Sequence, residues 1–196
     1  WVLLAMMIAA AMGVFLLAPL LIVRIWRTEK LKPCGLRADL EQSCRELKLR
    51  CRDLLVWKSG GTIANAGVMG LLGRLRYVLI SDMLLEQMED RHVKAIFAHE
   101  AGHILAKHIL HAAVFAVASV LLCAAAGEQL RQSFNLSGVI SAAITLVLLG
   151  ATWAVGFGWV SRRFEAQSDV IAARACDRQG DGQVTPQGAD TFAHAL

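Results

Sequence analysis

His99-Glu100-Ala101-Gly102-His103 has residue types and a spacing that can do hydrolytic chemistry. On a helix, residues four apart share a face, so His99 and His103 can present two imidazoles to one tetrahedral zinc ion. Glu100 sits one residue along and points beside the metal instead of at it, which is where a general base for an activated water belongs. The pattern also arises by chance on surface helices. A zinc enzyme needs a third protein ligand from elsewhere in the chain and an open fourth position, so a second, independent feature must support it.

The stretch Arg162-Arg163-Phe164-Glu165-Ala166-Gln167-Ser168-Asp169 offers that ligand, with Glu165 and Asp169 on one helical face. Taken alone, two arginines and a glutamate beside an apolar block also fit a juxtamembrane charge cluster. The apolar blocks between His103 and Arg162 favour ligation, because a hairpin that leaves and returns brings Glu165 back to the side where the histidines began. Antiparallel helices pack about 8–10 Å apart, within reach of a shared metal. Asp169 then suits a supporting role, accepting a hydrogen bond from the outer nitrogen of a ligating histidine and fixing its tautomer.

The elements that must position these residues follow from composition. Apolar residues make up 56% of the 196-residue chain, above the usual share for a soluble domain. The surplus sits in Trp1–Val23, Ile109–Ala126 and Leu136–Val160, each near the roughly 20 residues that span a bilayer core. Trp1–Val23 lacks a basic start and a small-residue cleavage site, so it reads as a span and not as a signal peptide. The net charge of +4 does not point to nucleic acid, since the basic residues flank the apolar blocks: Arg24, Arg27, Lys30 and Lys32 after the first, Arg162 and Arg163 after the third. The short connection Gly127–Asn135 carries only Glu128 and Arg131, so residues 24–108 and 161–196 are expected in the cytosol. Cys34, Cys44, Cys51, Cys123 and Cys176 are odd in number and lack C-x-x-C spacing, which fits free thiols in a reducing compartment.

Within residues 24–58, Leu40, Cys44, Leu47, Cys51 and Leu54-Leu55 recur with roughly helical period, predicting an amphipathic helix against the catalytic core. Ser59-Gly60-Gly61 ends it; the glycine pair is no phosphate loop, for no Gly-Lys-Ser/Thr follows. Thr62–Ser81 reads as a small sheet or hairpin, with Tyr77–Ile80 as a strand. Asp82 opens a helix through Met88, and Glu89-Asp90 starts another. Nothing between Arg91 and Ala126 signals a break, so the metal-binding helix is expected to run on into the bilayer. At about 1.5 Å per residue His111 lies about 12 Å from His103, too far to share its metal, so a polar contact where the helix meets the membrane is expected, with Lys107 snorkelling beside it. Trp1, Trp26, Trp153 and Trp159 fit an aromatic belt. Asp177–Gly182 lacks calcium ligands and reads as a turn. Thr185 and Pro186 begin a last helix that the chain's end interrupts, so both termini are expected to continue in a longer protein.

These residues resemble the membrane-bound zinc metallopeptidases that include HtpX and the CAAX prenyl proteases, the gluzincin type of His-Glu-x-x-His enzyme. The resemblance rests on Asn65-Ala66, Ala98–His103, the hydrophobic hairpin and Arg163–Asp169, and extends over roughly Thr62–Cys176. It implies zinc at His99, His103 and Glu165, catalysis by Glu100, support from Asp169, and an edge strand at Asn65, Ala66 and Gly67 along which an extended substrate lies. Ser168 departs from the family pattern, in which Ala is commoner. His194 lies beyond the third ligand, where the family places transition-state stabilisers, and reads as an ordinary surface residue.

The expected fold is therefore mainly α, a multi-span helical membrane protein with a small α+β zincin-like cytosolic part and a metal helix continuous with a transmembrane helix. Its expected segments are 1–23 (span), 24–108 (catalytic region), 109–160 (transmembrane hairpin) and 161–196 (third-ligand region). The expected function is a zinc-dependent membrane endopeptidase of HtpX-like quality control, in a bacterial cytoplasmic membrane with its site facing the cytosol. One zinc ion, a protein or peptide substrate and the lipid bilayer are its expected partners, and nucleic acid is not. A CAAX-type prenyl-peptide protease and a zinc-protease signalling receptor are the alternatives.

Overall fold

The computed structural model describes residues 2–176, Asp190, Phe192 and Ala193. They form two compact units, Trp1–Leu105 with Ser168–Leu196, and Ala106–Gln167. The turn expected at Asp177–Gly182, the helix start at Thr185-Pro186, Trp1 and His194 lie outside the described residues.

The first unit is built on a four-stranded sheet of order β1-β2-β4-β3, where β1 is Thr28–Lys30, β2 Asp53–Trp57, β3 Ala66–Met69 and β4 Tyr77–Ser81. The strands β2 and β4 pair in parallel, while β1 and β3 pair antiparallel on the two edges. Side chains alternate across a strand, and here both faces are covered. Leu54, Val78 and Ile80 face a core completed by Leu36 and Leu40 of helix α2 (Gly35–Glu46), Leu84 of α3 (Asp82–Gln87), and Val93, Phe97 and Ala101 of α4 (Asp90–Leu105). Leu55, Tyr77 and Leu79 face Leu20 and Val23 near the end of α1 (Val2–Ile25). The central strand β4 is consequently buried at every position.

Residues 24–58 depart from the expected single amphipathic helix. After α1 ends at Ile25, only Gly35–Glu46 is helical; Lys48 turns into the left-handed region at φ 53° and Asp53–Trp57 becomes a strand. The run Leu54-Leu55-Val56-Trp57 carries the β-branched and aromatic residues that a doubly covered parallel strand requires. Trp26, read as a belt residue, stacks on Trp57 with ring centroids 4.4 Å apart. After β3 the chain reverses at Gly70, whose φ of 110° suits glycine alone and where a Cβ would stand 2.5 Å from the Leu75 carbonyl oxygen.

The second unit is helical: α5 (His108–Phe134), α6 (Gly138–Ala151), a π-helical stretch Thr152–Phe157 and the start of α7 (Gly158–Ala175), the last three forming one continuous rod. Both His108–Phe134 and Gly138–Ala175 are long and apolar enough to cross a membrane, and little of either is buried, unlike the core helix of a soluble protein. Residues 127–134, expected as a connection, belong to α5, and the actual turn is Asn135–Ser137. The expected unbroken helix from Arg91 to Ala126 is also corrected. It stops at Leu105, Lys107 adopts φ 54° and ψ 38°, and α5 begins anew at His108. No Gly, Pro or Asn marks that break; a lysine takes a conformation that costs an ordinary residue about 1–2 kcal/mol.

Candidate active site

Helix α4 lies against the sheet through Val93, Phe97 and Ala101, which recur every four residues and are buried. The neighbouring stripe Ala95, Ala98 and Gly102 is also buried, but faces elsewhere. Ala95 and Ala98 pack with Ala172 of α7 and with Phe192. A Cβ on Gly102 would stand 3.0 Å from the Cα of Ser168. Small residues on both helices therefore set a close backbone approach.

His99 and His103 project from α4 beside this seam, with their Nε2 atoms 3.2 Å apart and their rings edge to face. Behind His99, its Nδ1 stands 3.0 Å from Oδ1 of Asp169. The other side of the His99 ring stacks on buried Phe192, with centroids 5.8 Å apart and planes 16° apart. Sequence reading missed Phe192, because an isolated aromatic near the chain's end carries no spacing signal. Glu100 follows His99 on α4, and Glu165 precedes Asp169 by one turn on α7.

Asn65 lies just before the edge strand β3. Its carbonyl oxygen accepts a hydrogen bond from the Ser81 N–H at 2.9 Å, and its own N–H donates to the Ser81 hydroxyl at 2.9 Å. Ala66 and Gly67 are the first residues of β3, opposite Ile80 and Leu79. Inter-strand bonds alternate along an antiparallel pair. With Asn65 bonded to Ser81, residues 66 and 68 turn their backbone N–H and C=O groups to the free edge. A Cβ on Gly67 would meet nothing within 4 Å, so that face of the strand is open.

The other histidines of this region have different tasks. His111 bonds through Nδ1 to the Lys107 carbonyl oxygen at 3.0 Å, closing the first turn of α5. His108 is buried, stacks on Phe164 at 4.2 Å and bonds to Gln167 Oε1 at 3.0 Å through Nε2, so it belongs to the packing of the second unit.

The family model of peptidase family M48 matches residues 36–191. The chain belongs to peptidase family M48. The match extends from α2 beyond α7, taking in strands β2, β3 and β4, the histidine pair and Glu165 with Asp169. The family is one of peptidases. No curated protein matches the chain. The crystal structure of S. mikatae Ste24p shares the fold, with a TM-score of 0.67 and 14% sequence identity over 99% of this chain. This chain spans 57% of the length of that protein.

Proposed function

We propose that this chain is the catalytic part of a zinc-dependent endopeptidase in a membrane, cutting membrane or membrane-proximal proteins. Zinc would be held by His99, His103 and Glu165. The donor set fits, since two imidazoles and a carboxylate are ligands that a catalytic zinc takes while keeping a fourth position open. The 3.2 Å between the histidine Nε2 atoms also matches the spacing of about 3.3 Å that two nitrogens bound to tetrahedral zinc would have, given Zn–N of about 2.0–2.1 Å. That spacing is the single observation that carries the reading, because it turns the two inner nitrogens of a His-Glu-x-x-His pair toward one point, at the separation one zinc ion requires.

When bound, zinc supplies Lewis acidity to a water and to the substrate carbonyl. The chain's own residues supply the rest. Glu100, one residue past His99 on α4, takes the water's proton and returns it to the leaving amine. Asp169 holds the His99 ring through Nδ1 and keeps its Nε2 turned toward His103. The free edge of β3 offers N–H and C=O groups at Ala66 and Val68 to an extended peptide, which would add as a further strand beside Asn65–Gly67.

Two apolar helices support placement in a multi-pass membrane protein. Arg24, Arg27 and Lys30, with Arg162 and Arg163, support a cytosolic site by the positive-inside rule. The test is metal content and peptide cleavage on two variants. Glu100→Gln should retain zinc and lose cleavage by at least about 100-fold, whereas Glu165→Ala should lose the metal. Unchanged cleavage in Glu100→Gln would refute the reading. A matched pair of peptides with and without a prenylated cysteine decides substrate class: cleavage of both fits a quality-control endopeptidase, and cleavage of the prenylated one alone fits a CAAX-type protease.

A further inference from the structure

Cys44, near the end of α2, and Cys51, just before β2, take no part in the proposed hydrolysis, yet their sulfur atoms are 3.8 Å apart. The local backbone explains why. Helix α2 ends in a Schellman turn: the Leu49 N–H bonds to the Cys44 carbonyl oxygen at 2.8 Å and the Lys48 N–H to that of Arg45 at 3.1 Å, with Lys48 in the left-handed region. That turn reverses the chain over four residues and sends Cys51 back past Cys44. From there Arg52 N–H bonds to the Arg76 carbonyl oxygen and β2 begins. Both ends of the pair are held by backbone hydrogen bonds, and the sulfurs need close by less than 2 Å to reach bonding distance, about 2.05 Å.

The pair is also reachable. Both cysteines line an open hollow of about 1010 Å³ in which Glu41 and Asp53 are paired with Arg37, while Arg45, Arg50 and Arg74 leave the wall positive. Arg76 lies close enough to favour a negative charge on Cys51, and the Cys44 thiol, hydrogen-bonded to Cys51, does so more strongly. Burial and the same hydrogen bond push Cys44 the other way. One sulfur is thus suited to attack and its neighbour to follow.

We propose that Cys44 and Cys51 form a thiol–disulfide exchange site that takes low-molecular-weight disulfides carrying negative charge. The Cys51 thiolate attacks one sulfur of the small disulfide, breaking its S–S bond, forming a mixed disulfide and expelling one thiolate. Cys44 then gives up its proton and attacks the Cys51 sulfur, forming the Cys44–Cys51 bond and releasing the second small thiol. The protein loses two electrons and two hydrogens, and one small disulfide becomes two small thiols. The arginine-lined hollow explains the preference for an anionic reagent. The bond would tie the end of α2 to the start of β2, two elements already joined through Arg37, which reaches Asp53 at 3.1 Å.

The test uses the purified chain, glutathione disulfide as probe, maleimide trapping of remaining thiols, and peptide mass mapping. A cross-linked Cys44–Cys51 pair, two hydrogens lighter than the dithiol, is expected, while exposed Cys34 carries at most a mixed disulfide. In Cys44→Ser, glutathione should remain attached to Cys51; in Cys51→Ser, Cys44 should stay a free thiol. Cystamine, a cationic small disulfide, should close the pair more slowly. Full maleimide labelling of both cysteines after Cys34 has reacted would overturn the proposal, as would equal rates with the two probes.

Discussion

Nδ1 of His99 and Oδ1 of Asp169 are 3.0 Å apart, although 70 positions separate the two residues in the chain. The contact needs α4 and α7 close together, and Gly102 facing Ser168 is what permits that. A carboxylate on the outer nitrogen of an imidazole keeps the proton there and leaves the inner nitrogen as a donor to a metal.

Replacing Asp169 by Ala should therefore weaken zinc binding about 10–100-fold while leaving the fold in place. Competition with a chelator followed by metal analysis measures it. Asp169→Asn, which keeps an acceptor oxygen but no charge, should fall between Ala and the parent. An Ala variant with full affinity would show that the carboxylate plays no part in orienting His99.

The seam between α4 and α7 makes opposite predictions at two positions. The Ser168 hydroxyl is wholly buried and has no hydrogen-bond partner among the described residues, and a desolvated, unsatisfied polar atom costs about 1–3 kcal/mol. Ser168→Ala should stabilise the protein by about 1 kcal/mol, raising Tm by about 2–4 °C for a chain of this size. Gly102→Val should do the reverse. Its Cβ would press on the Ser168 backbone at 3.0 Å, which no rotamer change relieves, at a cost of about 1–3 kcal/mol. Thermal melts of both variants check the pair.

The contrast between what could and could not be read beforehand has a physical pattern. Local signals served well: acidic residues at helix starts marked α3 at Asp82 and α4 at Asp90, and Tyr77–Ile80 reads as a strand from its side chains alone. The histidine pair is a four-residue relationship that one helix enforces. Asp53–Trp57 was lost to a helical spacing because its reason for being a strand is non-local, namely its parallel pairing with β4. The break at Lys107 was illegible because a lysine, not a glycine, takes the left-handed conformation. Phe192 was missed since stacking on His99 depends on tertiary packing alone.

Asp82 gives a pH dependence. Its carboxylate accepts from the Ser59 hydroxyl and from the backbone N–H groups of Ser59, Gly60 and Met83. The Ser59 hydroxyl bond, with the backbone bonds behind it, lowers its pKa from 3.8 to about 2. A carboxyl group lowered on folding stabilises the folded state above its unfolded value, and that contribution disappears as pH falls from about 3.8 through about 2. Asp82→Asn should remove this limb from an acid-unfolding curve and leave the curve at neutral pH lower but flatter. An unchanged acid limb would mean that the loop before β3 is held by other contacts.

In the second unit α5 and α6 meet through small residues, as membrane helices do. The Ser141 hydroxyl donates to the Gly127 carbonyl oxygen at 3.0 Å, and a Cβ on Gly127 would stand 1.9 Å from Thr145 Oγ1. That oxygen ends a short side chain, which can turn away by giving up its 2.9 Å bond to the Ser141 carbonyl oxygen, so Gly127→Ala should be tolerated at about the loss of one hydrogen bond, about 1 kcal/mol. A leucine has no such escape, since its branch would meet the α6 backbone at Ser141, 3.7 Å from the Cβ position. Gly127→Leu should therefore force the two helices apart and break the Ser141 bond. A pair of cysteines introduced at Val120 and Leu148 for distance measurement by spin labels would report it, with the separation widening in Leu and holding in Ala. If the Leu variant kept the parent distance, this glycine would not be what sets the approach of α5 to α6.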